Sequence, residues 1–267
     1  MKSIVKIIQA QPTQDGAGVK LFRSLGTHLL PELNPFLMLD EIRADEASDY
    51  LAGFPSHPHR GFETVTIMLD GKMRHRDSRG NEGVIESGGV QWMTAGSGIV
   101  HSEMPEQSEG RLWGFQLWVN LPAEHKMMSP RYQDIKAAEI PVVNFPGAQV
   151  RVMAGTVHNH TGPVTDIVTR PTLLDVHLDG ELNLTLPPRT LLYVYEGALT
   201  IGEQTARAQQ LAVLSEESSL TMTGNAKALV FGADVLNEPI ARHGPFVMNT
   251  REQLMRAFED YQSGQFG

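Results

Sequence analysis

The chain has 267 residues and no cysteine, which excludes disulfide bonds, zinc–thiolate sites, iron–sulfur clusters and cysteine nucleophiles. Its net charge of −9 argues against sequence-independent binding to DNA, because such binding requires a basic surface. The opening residues, MKSIVKIIQAQ, form too short an apolar stretch for a signal peptide, and no window approaches the ~20 apolar residues of a membrane span. We therefore expect a cytoplasmic protein that binds neither nucleic acid nor membranes.

Short runs rich in Val, Ile, Leu, Thr and aromatic residues follow one another along the chain, separated by turn residues. This pattern is typical of all-β sandwiches and barrels. In chain order the clearest runs are FETVTIML (62–69), GRLWGFQLWVNL (110–121), TLLDVHLDG (172–180), TLLYVYEGALTIG (190–202) and KALVFGADV (227–235). We therefore predict an all-β fold, and the length suffices for one large domain or two smaller ones.

The stretch from about residue 122 to 150 is rich in Pro, Lys and polar residues, and we interpret it as a connector between two β-rich halves. A short helix around residues 133–138 is an option within it. Helical periodicity is convincing only near the end of the chain, in NTREQLMRAFEDYQSG. There Thr250 and Gln253 form a candidate capping box, and we predict a helix that ends before Gly264.

The two halves resemble each other around a shared glycine turn, VTIMLDGKM in the first half and LLYVYEGAL in the second. Aligning the two glycines pairs three polar residues of the first half with three residues of the second: His57 with Asn183, His59 with Thr185 and Glu63 with Arg189. If the second half is a copy of the first, it therefore lacks these two histidines and this glutamate.

His57 and His59 stand one residue apart ahead of an alternating apolar run, in FPSHPHRGFETVTIML. Side chains at positions i and i+2 of a strand point the same way, with Cα atoms ~6.5 Å apart, so both imidazoles can reach one cation. Continuing the alternation adds four residues to the same face: Glu63, Val65, Ile67 and Leu69. We predict that this face lines the interior of a β-barrel, with the histidines at its mouth.

A second polar cluster follows some forty residues later, in GGVQWMTAGSGIVHSEMPE. His101 and Glu103 have the same i, i+2 spacing and come after a glycine-rich turn. Three imidazoles and one carboxylate suit a first-row divalent metal, such as Fe(II), Ni, Co, Mn or Cu(II), better than calcium or magnesium. Four protein ligands in an octahedral arrangement would leave two positions for substrate, dioxygen or water.

Two other polar stretches are given structural interpretations. His158 and His160 also stand one residue apart, but no apolar alternation and no second cluster accompany them, so we assign them to a loop. The basic stretch GKMRHRDSRG (71–80) is interpreted as a solvated hairpin tip. A lone H-x-H pair is more often a surface or core feature than a metal site, so the metal hypothesis for the first pair depends on the later HSE cluster.

At these residues the sequence resembles the cupin superfamily. The first cupin motif has the form G, H-x-H, three or four residues, E, six residues, G. His57, His59 and Glu63 fit this motif, although seven residues instead of six separate the glutamate from Gly71. The second motif, P-x-G followed by two residues and H, is matched by GSGIVH (96–101), with glycine in place of the proline.

Within this superfamily the chain resembles the pirin family over nearly its whole length. The matching stretches are GAGVKLFRSLG, NPFLMLDEI, FPSHPHRGFETVTIMLDG, GVQWMTAGSGIVHSEMP, FQLWVNLP and EPIARHGPFVMNT. The resemblance implies a bicupin, with two face-to-face β-barrels of the jelly-roll type and a short C-terminal helix. It implies a metal-binding barrel in residues 1–135 and a barrel without metal ligands in residues 136–267.

The resemblance also implies the metal ligands. In pirins these are both histidines of the first motif, the histidine of the second motif and the glutamate two residues after it, which here are His57, His59, His101 and Glu103. Glu63 is the ligand in the general cupin pattern and is the competing carboxylate; if it is not a ligand, we expect it to hydrogen-bond a ligand imidazole. The implied cofactor is one divalent transition metal per chain, with Fe(II) first and Ni, Co, Mn, Cu or Zn as alternatives.

Pirin-like bacterial proteins are associated with quercetin 2,3-dioxygenase activity. The resemblance therefore implies a dioxygenase that cleaves a flavonol with dioxygen and releases carbon monoxide, with Glu103 accepting the proton of the flavonol 3-hydroxyl. The expected apolar lining is Phe54, Val65, Ile67, Met93 and one of Trp92, Trp113 or Trp118. The alternatives are a pirin-type regulatory module that acts through a protein partner, as eukaryotic pirins are described, and a cupin whose metal only stabilises the fold.

Overall fold

The computed structural model describes residues 1–266, which form 23 β-strands, one α-helix and three short 3-10 helices. The strands are rich in β-branched and aromatic residues, and turn residues separate them. The prediction of an all-β protein with one short C-terminal helix is confirmed. No helix within these residues is both long and apolar enough to cross a membrane.

The first twelve strands lie before residue 136. They are β1 (Ile4–Gln9), β2 (Gln11–Asp15), β3 (Val19–Leu25), β4 (Phe36–Ala44), β5 (Phe54–His59), β6 (Phe62–Asp70), β7 (Lys72–Asp77), β8 (Glu82–Glu86), β9 (Val90–Thr94), β10 (Ile99–Pro105), β11 (Leu112–Asn120) and β12 (Arg131–Ile135). The 3-10 helices span Ala47–Asp49, Ala123–His125 and Ala137–Glu139.

Eleven further strands and the helix follow. They are β13 (Val142–Phe145), β14 (Ala148–Ala154), β15 (Thr156–Val157), β16 (His160–Thr161), β17 (Thr172–Thr185), β18 (Arg189–Ile201), β19 (Gln204–Arg207), β20 (Gln210–Leu214), β21 (Ser219–Ala233), β22 (Ala241–His243), β23 (Phe246–Met248) and α1 (Arg251–Gln262). The stretch that the sequence indicated as a connector therefore contains β12 and β13.

The chain divides into two compact units, and each unit is assembled from three segments. Unit A contains residues 12–26, 31–137 and 236 onward, and unit B contains residues 1–11, 27–30 and 138–235. All the residues proposed to bind metal belong to unit A. The domain boundary between residues 135 and 136 stays a prediction.

Two sheets position the candidate site in unit A. One has the strand order β12-β9-β6-β11-β4-β3-β2, and the other has the order β5-β10-β7-β8. The chain changes sheet at Gly61, between β5 and β6. This residue has a φ of +87°, and a Cβ atom there would lie 2.0 Å from the Val247 carbonyl oxygen, so only glycine fits. The Nζ of Lys126 donates to the carbonyl oxygens of Gly61 and Val247, which fixes the turn.

Unit B contains an eight-stranded sheet with the order β1-β20-β18-β21-β17-β14-β13, to which β19 adds by pairing with β18. One face of the long strands β17, β18 and β21 carries Val, Leu, Ile and Met side chains into a continuous apolar core. Strand pairing among the described residues gives open sheets in both units. Closure of either unit into a barrel, and the face-to-face arrangement, therefore stay predictions.

The helix begins at the predicted capping box. The Thr250 side chain accepts from the Gln253 backbone N–H at 3.2 Å, and the Gln253 side chain accepts from the Thr250 backbone N–H at 3.1 Å. The option of a helix around residues 133–138 is wrong except at its end, where Ala137–Glu139 form a short 3-10 helix. Residues 131–135 form β12 instead, because its backbone satisfies its hydrogen bonds by extending the sheet beyond β9.

Candidate metal centre

Three histidines of unit A converge on one point. His57 and His59 lie on β5, and His101 lies on the antiparallel neighbour β10, directly opposite His57. The ring centroids are 4.7 Å apart for His57 and His59, 4.4 Å for His57 and His101, and 5.0 Å for His59 and His101. One nitrogen of each ring lies within 4.8 Å of the corresponding nitrogens of the other two. Since metal–imidazole distances are ~2.1 Å, one ion can reach all three rings after small side-chain adjustments.

The hydrogen bonding of these rings leaves nitrogen lone pairs unused. Within residues 1–266, the buried His59 Nδ1 and His101 Nε2 have no hydrogen-bond partner. The His57 Nδ1 lies 2.8 Å from the Pro55 carbonyl oxygen, to which it can only donate, so its Nε2 carries the free lone pair. Because buried polar atoms in proteins nearly always have a partner, these nitrogens fit a bound cation.

Burial also sets the protonation of the cluster. It lowers the pKa of both His59 and His101 well below the usual value near 6.5, because a charged ring would lose its hydration, and the neighbouring imidazoles lower the pKa values further. Both rings are therefore neutral at physiological pH. Neutral imidazole is the form that binds a metal ion, so no proton has to leave these two rings first.

Glu103 lies on β10, two residues after His101, and lines the same cavity as His57. One carboxylate oxygen accepts from the Thr66 hydroxyl at 3.0 Å, and the other accepts from the Gln116 side-chain amide at 3.3 Å. These two donors hold the carboxylate at the cavity wall. The metal-capable group among the described residues consists of the three histidines alone, so the role of Glu103 as a fourth ligand stays a prediction.

Glu63, the competing carboxylate, is buried on the other face of β6. Its side chain accepts from the Thr94 hydroxyl at 2.7 Å, and it is not among the residues that line the cavity. Burial raises the pKa of Glu63 to about 7. None of the hydrogen bonds found for Glu63 within residues 1–266 goes to a histidine of the cluster, contrary to the expectation of a contact with a ligand imidazole.

The prediction that Glu63, Val65, Ile67 and Leu69 continue the face of the histidines is wrong. The turn at Gly61 moves the chain into another sheet and resets the alternation of side chains. The opposite face of β6 lies on the histidine side: Phe62 is 5.1 Å from the ring of His59, and Thr66 lines the cavity.

A cavity of about 600 Å³ begins at the histidines and lies within unit A. Its volume is in the ~300–1,000 Å³ range of small-molecule sites. The apolar side chains that line it are Leu21, Met38, Ile42, Phe54, Met73 and Trp118. Phe54 and Trp118 were predicted here. Trp118 is the one of the three candidate tryptophans that lines the cavity, but the prediction is wrong for Val65, Ile67 and Met93, which do not line it.

The sequence reading missed His75. This residue lies on β7 opposite Glu103 of β10, and its Nδ1 is 3.4 Å from the Nδ1 of His101. Its ring is buried and contacts Tyr132 at 4.5 Å. The interpretation of residues 71–80 as a solvated hairpin tip is therefore wrong at this position. The available signal in the sequence was the alternation KMRHR, in which Met73 and His75 stand between basic residues.

The aligned residues of unit B form no comparable cluster. Asn183 and Thr185 are exposed, and the Thr221 hydroxyl, which occupies the ladder position opposite Asn183, donates to the Asn183 side chain. The second H-x-H pair belongs to a small exposed hairpin formed by β15 and β16, with His158 in the turn and His160 on β16. Neither histidine belongs to a metal-capable group among the described residues.

Comparison with known proteins gives one family. The family model described as Pirin matches residues 18–119, and the model described as Pirin C-terminal cupin domain matches residues 173–267. A pirin-like protein of Caulobacter vibrioides is 47% identical, with 100% of this chain and 99% of the relative covered. Pirin of Homo sapiens is 37% identical, with 100% of this chain and 94% of the relative covered.

The fold also resembles solved structures. A crystal structure of quercetin 2,3-dioxygenase from Acinetobacter baumannii superposes with a TM-score of 0.92 at 36% sequence identity. That comparison covers 100% of this chain and 99% of the solved chain. The resemblance therefore extends over both units.

Proposed function

The chain belongs to the pirin family, and on that premise we propose that it is a metal-dependent dioxygenase that acts on flavonols. The proposed reaction opens the central ring of a flavonol such as quercetin with dioxygen and releases carbon monoxide. The observation that carries this proposal is the convergence of His57, His59 and His101 beside a cavity of small-molecule size. The resemblance to the quercetin 2,3-dioxygenase of Acinetobacter baumannii supports the same activity.

Unit A holds one divalent transition metal in this proposal, and the ligands are His57, His59, His101 and Glu103. Fe(II) is the first candidate, but imidazole also binds Ni, Co, Mn, Cu and Zn. When bound, the ion would supply a positive charge that lowers the pKa of the flavonol 3-hydroxyl and a centre at which the two reactants meet.

Glu103 is the residue proposed to take the proton from the flavonol 3-hydroxyl. The donors Thr66 and Gln116 each occupy one carboxylate oxygen and fix its orientation. An ionised carboxylate can accept ~four hydrogen bonds, so these two leave capacity for the substrate proton. Loss of that proton gives the substrate anion, the electron-rich form that can react with dioxygen.

The apolar wall of the cavity provides the surface for the aromatic rings of the substrate. Trp118 contacts the ring of His59 at a centroid distance of 5.2 Å, and Phe54 lines the same cavity. Aromatic side chains bind planar ligands through large contact areas. A flavonol whose 3-hydroxyl points to the histidines would therefore lay its other rings on this surface.

The test is a turnover assay with protein loaded separately with each first-row divalent metal. Loss of the flavonol absorbance together with release of one carbon monoxide per quercetin is the expected result. Glu103→Gln should lose turnover, whereas Glu63→Gln should retain it, because Glu63 lies on the other face of β6. Absence of turnover with every metal would contradict the proposal, and capture of a specific partner by the metal-loaded protein would then favour the regulatory module.

A further inference from the structure

The cavity of unit A has a second charged region besides the histidine cluster. Two guanidinium groups, from Arg23 and Arg242, line it together with the carboxylates of Asp15 and Asp40. None of these residues belongs to the proposed metal site. An apolar cavity with a few converging charged groups selects ligands by their charge and orientation, so this region can determine which substrate is accepted.

Arg23 is already paired. Its Nε donates to one oxygen of Asp40 at 2.7 Å, and its Nη2 donates to the other oxygen at 2.6 Å. The same Nη2 also donates to Asp15 at 2.7 Å. These three hydrogen bonds use the Nε and Nη2 donors, and the two carboxylates compensate the charge of Arg23, so its guanidinium serves as part of the wall.

Arg242 is different. Its guanidinium carbon lies 4.8 Å from the ring centre of Trp118, and its Nη1 donates to the Leu37 carbonyl oxygen at 3.0 Å. Among the described residues no carboxylate lies within 4.0 Å of its guanidinium, although Glu32 and Asp40 attract it from farther away. A guanidinium has five N–H donors, and one of them is used here. Arg242 therefore presents a positive charge and unused donors at a site that lines the cavity.

Trp118 contacts both His59 and Arg242, which limits the distance between the arginine and the histidine cluster. The ring of Trp118 lies 5.2 Å from the ring of His59 and 4.8 Å from the guanidinium carbon of Arg242. The separation of the two cannot exceed the sum of these distances. A single ligand of flavonol size can therefore contact both the histidines and Arg242.

We propose that the substrate carries an anionic group, a carboxylate in the first instance, which Arg242 binds while the metal-binding oxygen faces the histidines. Guanidinium and carboxylate form charge-assisted hydrogen bonds that are stronger than neutral ones, and Trp118 holds the guanidinium by a cation–π contact. This inference rests on the proposed function, because it assumes that the substrate occupies the same cavity. Quercetin, which has no carboxylate, would then be a poorer ligand than a carboxylated analogue.

The test measures equilibrium binding of two matched probes, 3-hydroxyflavone-4′-carboxylate and its 4′-carboxamide, to metal-loaded protein kept free of oxygen. The probes have nearly the same size but differ in charge. Wild-type protein should bind the carboxylate about tenfold more tightly or better, which corresponds to ~1.4 kcal/mol. Arg242→Gln should abolish this preference while leaving the affinity for the carboxamide within about twofold.

A matched control is available in the same unit. The guanidinium carbon of Arg43 lies 4.3 Å from the ring centre of Trp113, but neither residue lines the cavity. Arg43→Gln removes an arginine stacked on a tryptophan and should leave the preference unchanged. Arg242→Lys should keep part of the preference, because an ammonium retains the charge but not the planar fork.

Equal affinity of the wild-type protein for both probes would overturn the proposal, whatever the variants do. A preference that persists unchanged in Arg242→Gln would also overturn it. If the glutamine variant does not fold, Arg242→Lys is measured in its place. An unchanged preference of the lysine variant for the carboxylate probe would then overturn the proposal. Failure of the proposed function is distinguishable, because it would appear as absent quercetin turnover in a protein that still prefers the carboxylate probe.

Discussion

The two units use the same strand pairing for different purposes. In unit A, β10 runs antiparallel to β5 and pairs His101 with His57. In unit B, the first part of β21 runs antiparallel to the end of β17 and pairs Thr221 with Asn183. The first pair leaves lone pairs free for a cation, whereas the second pair is a hydrogen bond between the half-buried Thr221 and the exposed Asn183. The backbone ladder is therefore not sufficient for a metal site: His59 and His101 are buried in unit A, whereas Asn183 and Thr185 at the aligned positions of unit B are exposed.

The interiors of the two units also differ, since one is filled with apolar side chains and the other contains a cavity. In unit B the residues next to the aligned positions, Leu182 and Leu184, are buried in a continuous apolar core. In unit A the corresponding region opens into the cavity of about 600 Å³. A filled core stabilises the fold through burial of apolar surface, whereas a cavity gives up part of that stabilisation for a binding site. Unit B is therefore the natural internal control for every experiment on unit A.

Among single substitutions, removal of one histidine of the cluster should have the largest effect on the metal site that distinguishes unit A from unit B. His59→Ala is expected to abolish metal binding and turnover, since two remaining imidazoles cannot hold the ion, and to leave the fold largely intact. Elemental analysis of the purified variant, with circular dichroism to check folding, measures both expectations. His158→Ala, in the exposed hairpin of unit B, is the control and should keep the metal. Equal metal content in His59→Ala and wild type would contradict the assignment.

Glu103→Gln should have the next largest effect. The substitution keeps the size of the side chain but removes the proposed proton acceptor, and general-base residues contribute ~10²–10⁴-fold to turnover. We expect kcat with quercetin to fall within that range. A fall in kcat of less than tenfold in metal-loaded Glu103→Gln would exclude Glu103 as the base.

His75→Leu should have a smaller effect on metal affinity. The contact between His75 and His101 orients the ligand ring, and loss of such outer partners typically costs ~10–100-fold in metal affinity. Titration of the metal-free variant with Co(II), followed by its visible absorption, measures the affinity. His125→Leu, at a half-exposed histidine of the same unit, should bind cobalt like wild type. An unchanged cobalt affinity in His75→Leu would show that His75 only fills space.

The smallest effect is expected at Glu63 and concerns stability instead of activity. The pKa of this carboxyl is about 7 in the folded protein against an ordinary value of 4.5, so the folded state binds more protons between these two values. The free energy of unfolding therefore falls as the pH rises from about 4.5 to 7, by a few kcal/mol.

Urea unfolding of wild type and Glu63→Gln at pH 5 and pH 8 tests this sign. The stability of the variant relative to wild type should increase between the two pH values, because glutamine has no proton to lose. Glu86→Gln, on the surface of the same unit, should show no such change. A relative stability of Glu63→Gln that stays constant with pH would contradict the buried, protonated state.

The parts of the site that the sequence predicted depend on short-range patterns. The i, i+2 spacing of His57 and His59, the later HSE cluster and the cupin resemblance together predicted that three histidines share one site, and Thr250 with Gln253 predicted the start of the helix. Strand runs with turn residues between them predicted the all-β fold. The capping box, the strand runs and each i, i+2 pair lie within about ten residues, a range in which local geometry is reliable.

The parts that the sequence did not predict depend on long-range pairing. The burial of His75 depends on the register of β7 against β10. Val65 and Ile67 do not line the cavity because the chain changes sheet at the Gly61 turn, and no local pattern indicates that change. Arg242 lies more than a hundred residues after Trp118, and no local pattern connects them. These relations are set by tertiary packing, which overrides the local alternation.

The most direct test of the metal site is a crystal structure of metal-loaded protein with diffraction recorded at the absorption edge of the bound metal. The account predicts one anomalous peak per chain, between the imidazole nitrogens of His57, His59 and His101, and no peak near Asn183 and Thr221. A peak elsewhere in the chain, a second peak in unit B, or imidazoles that point away from the ion would contradict it.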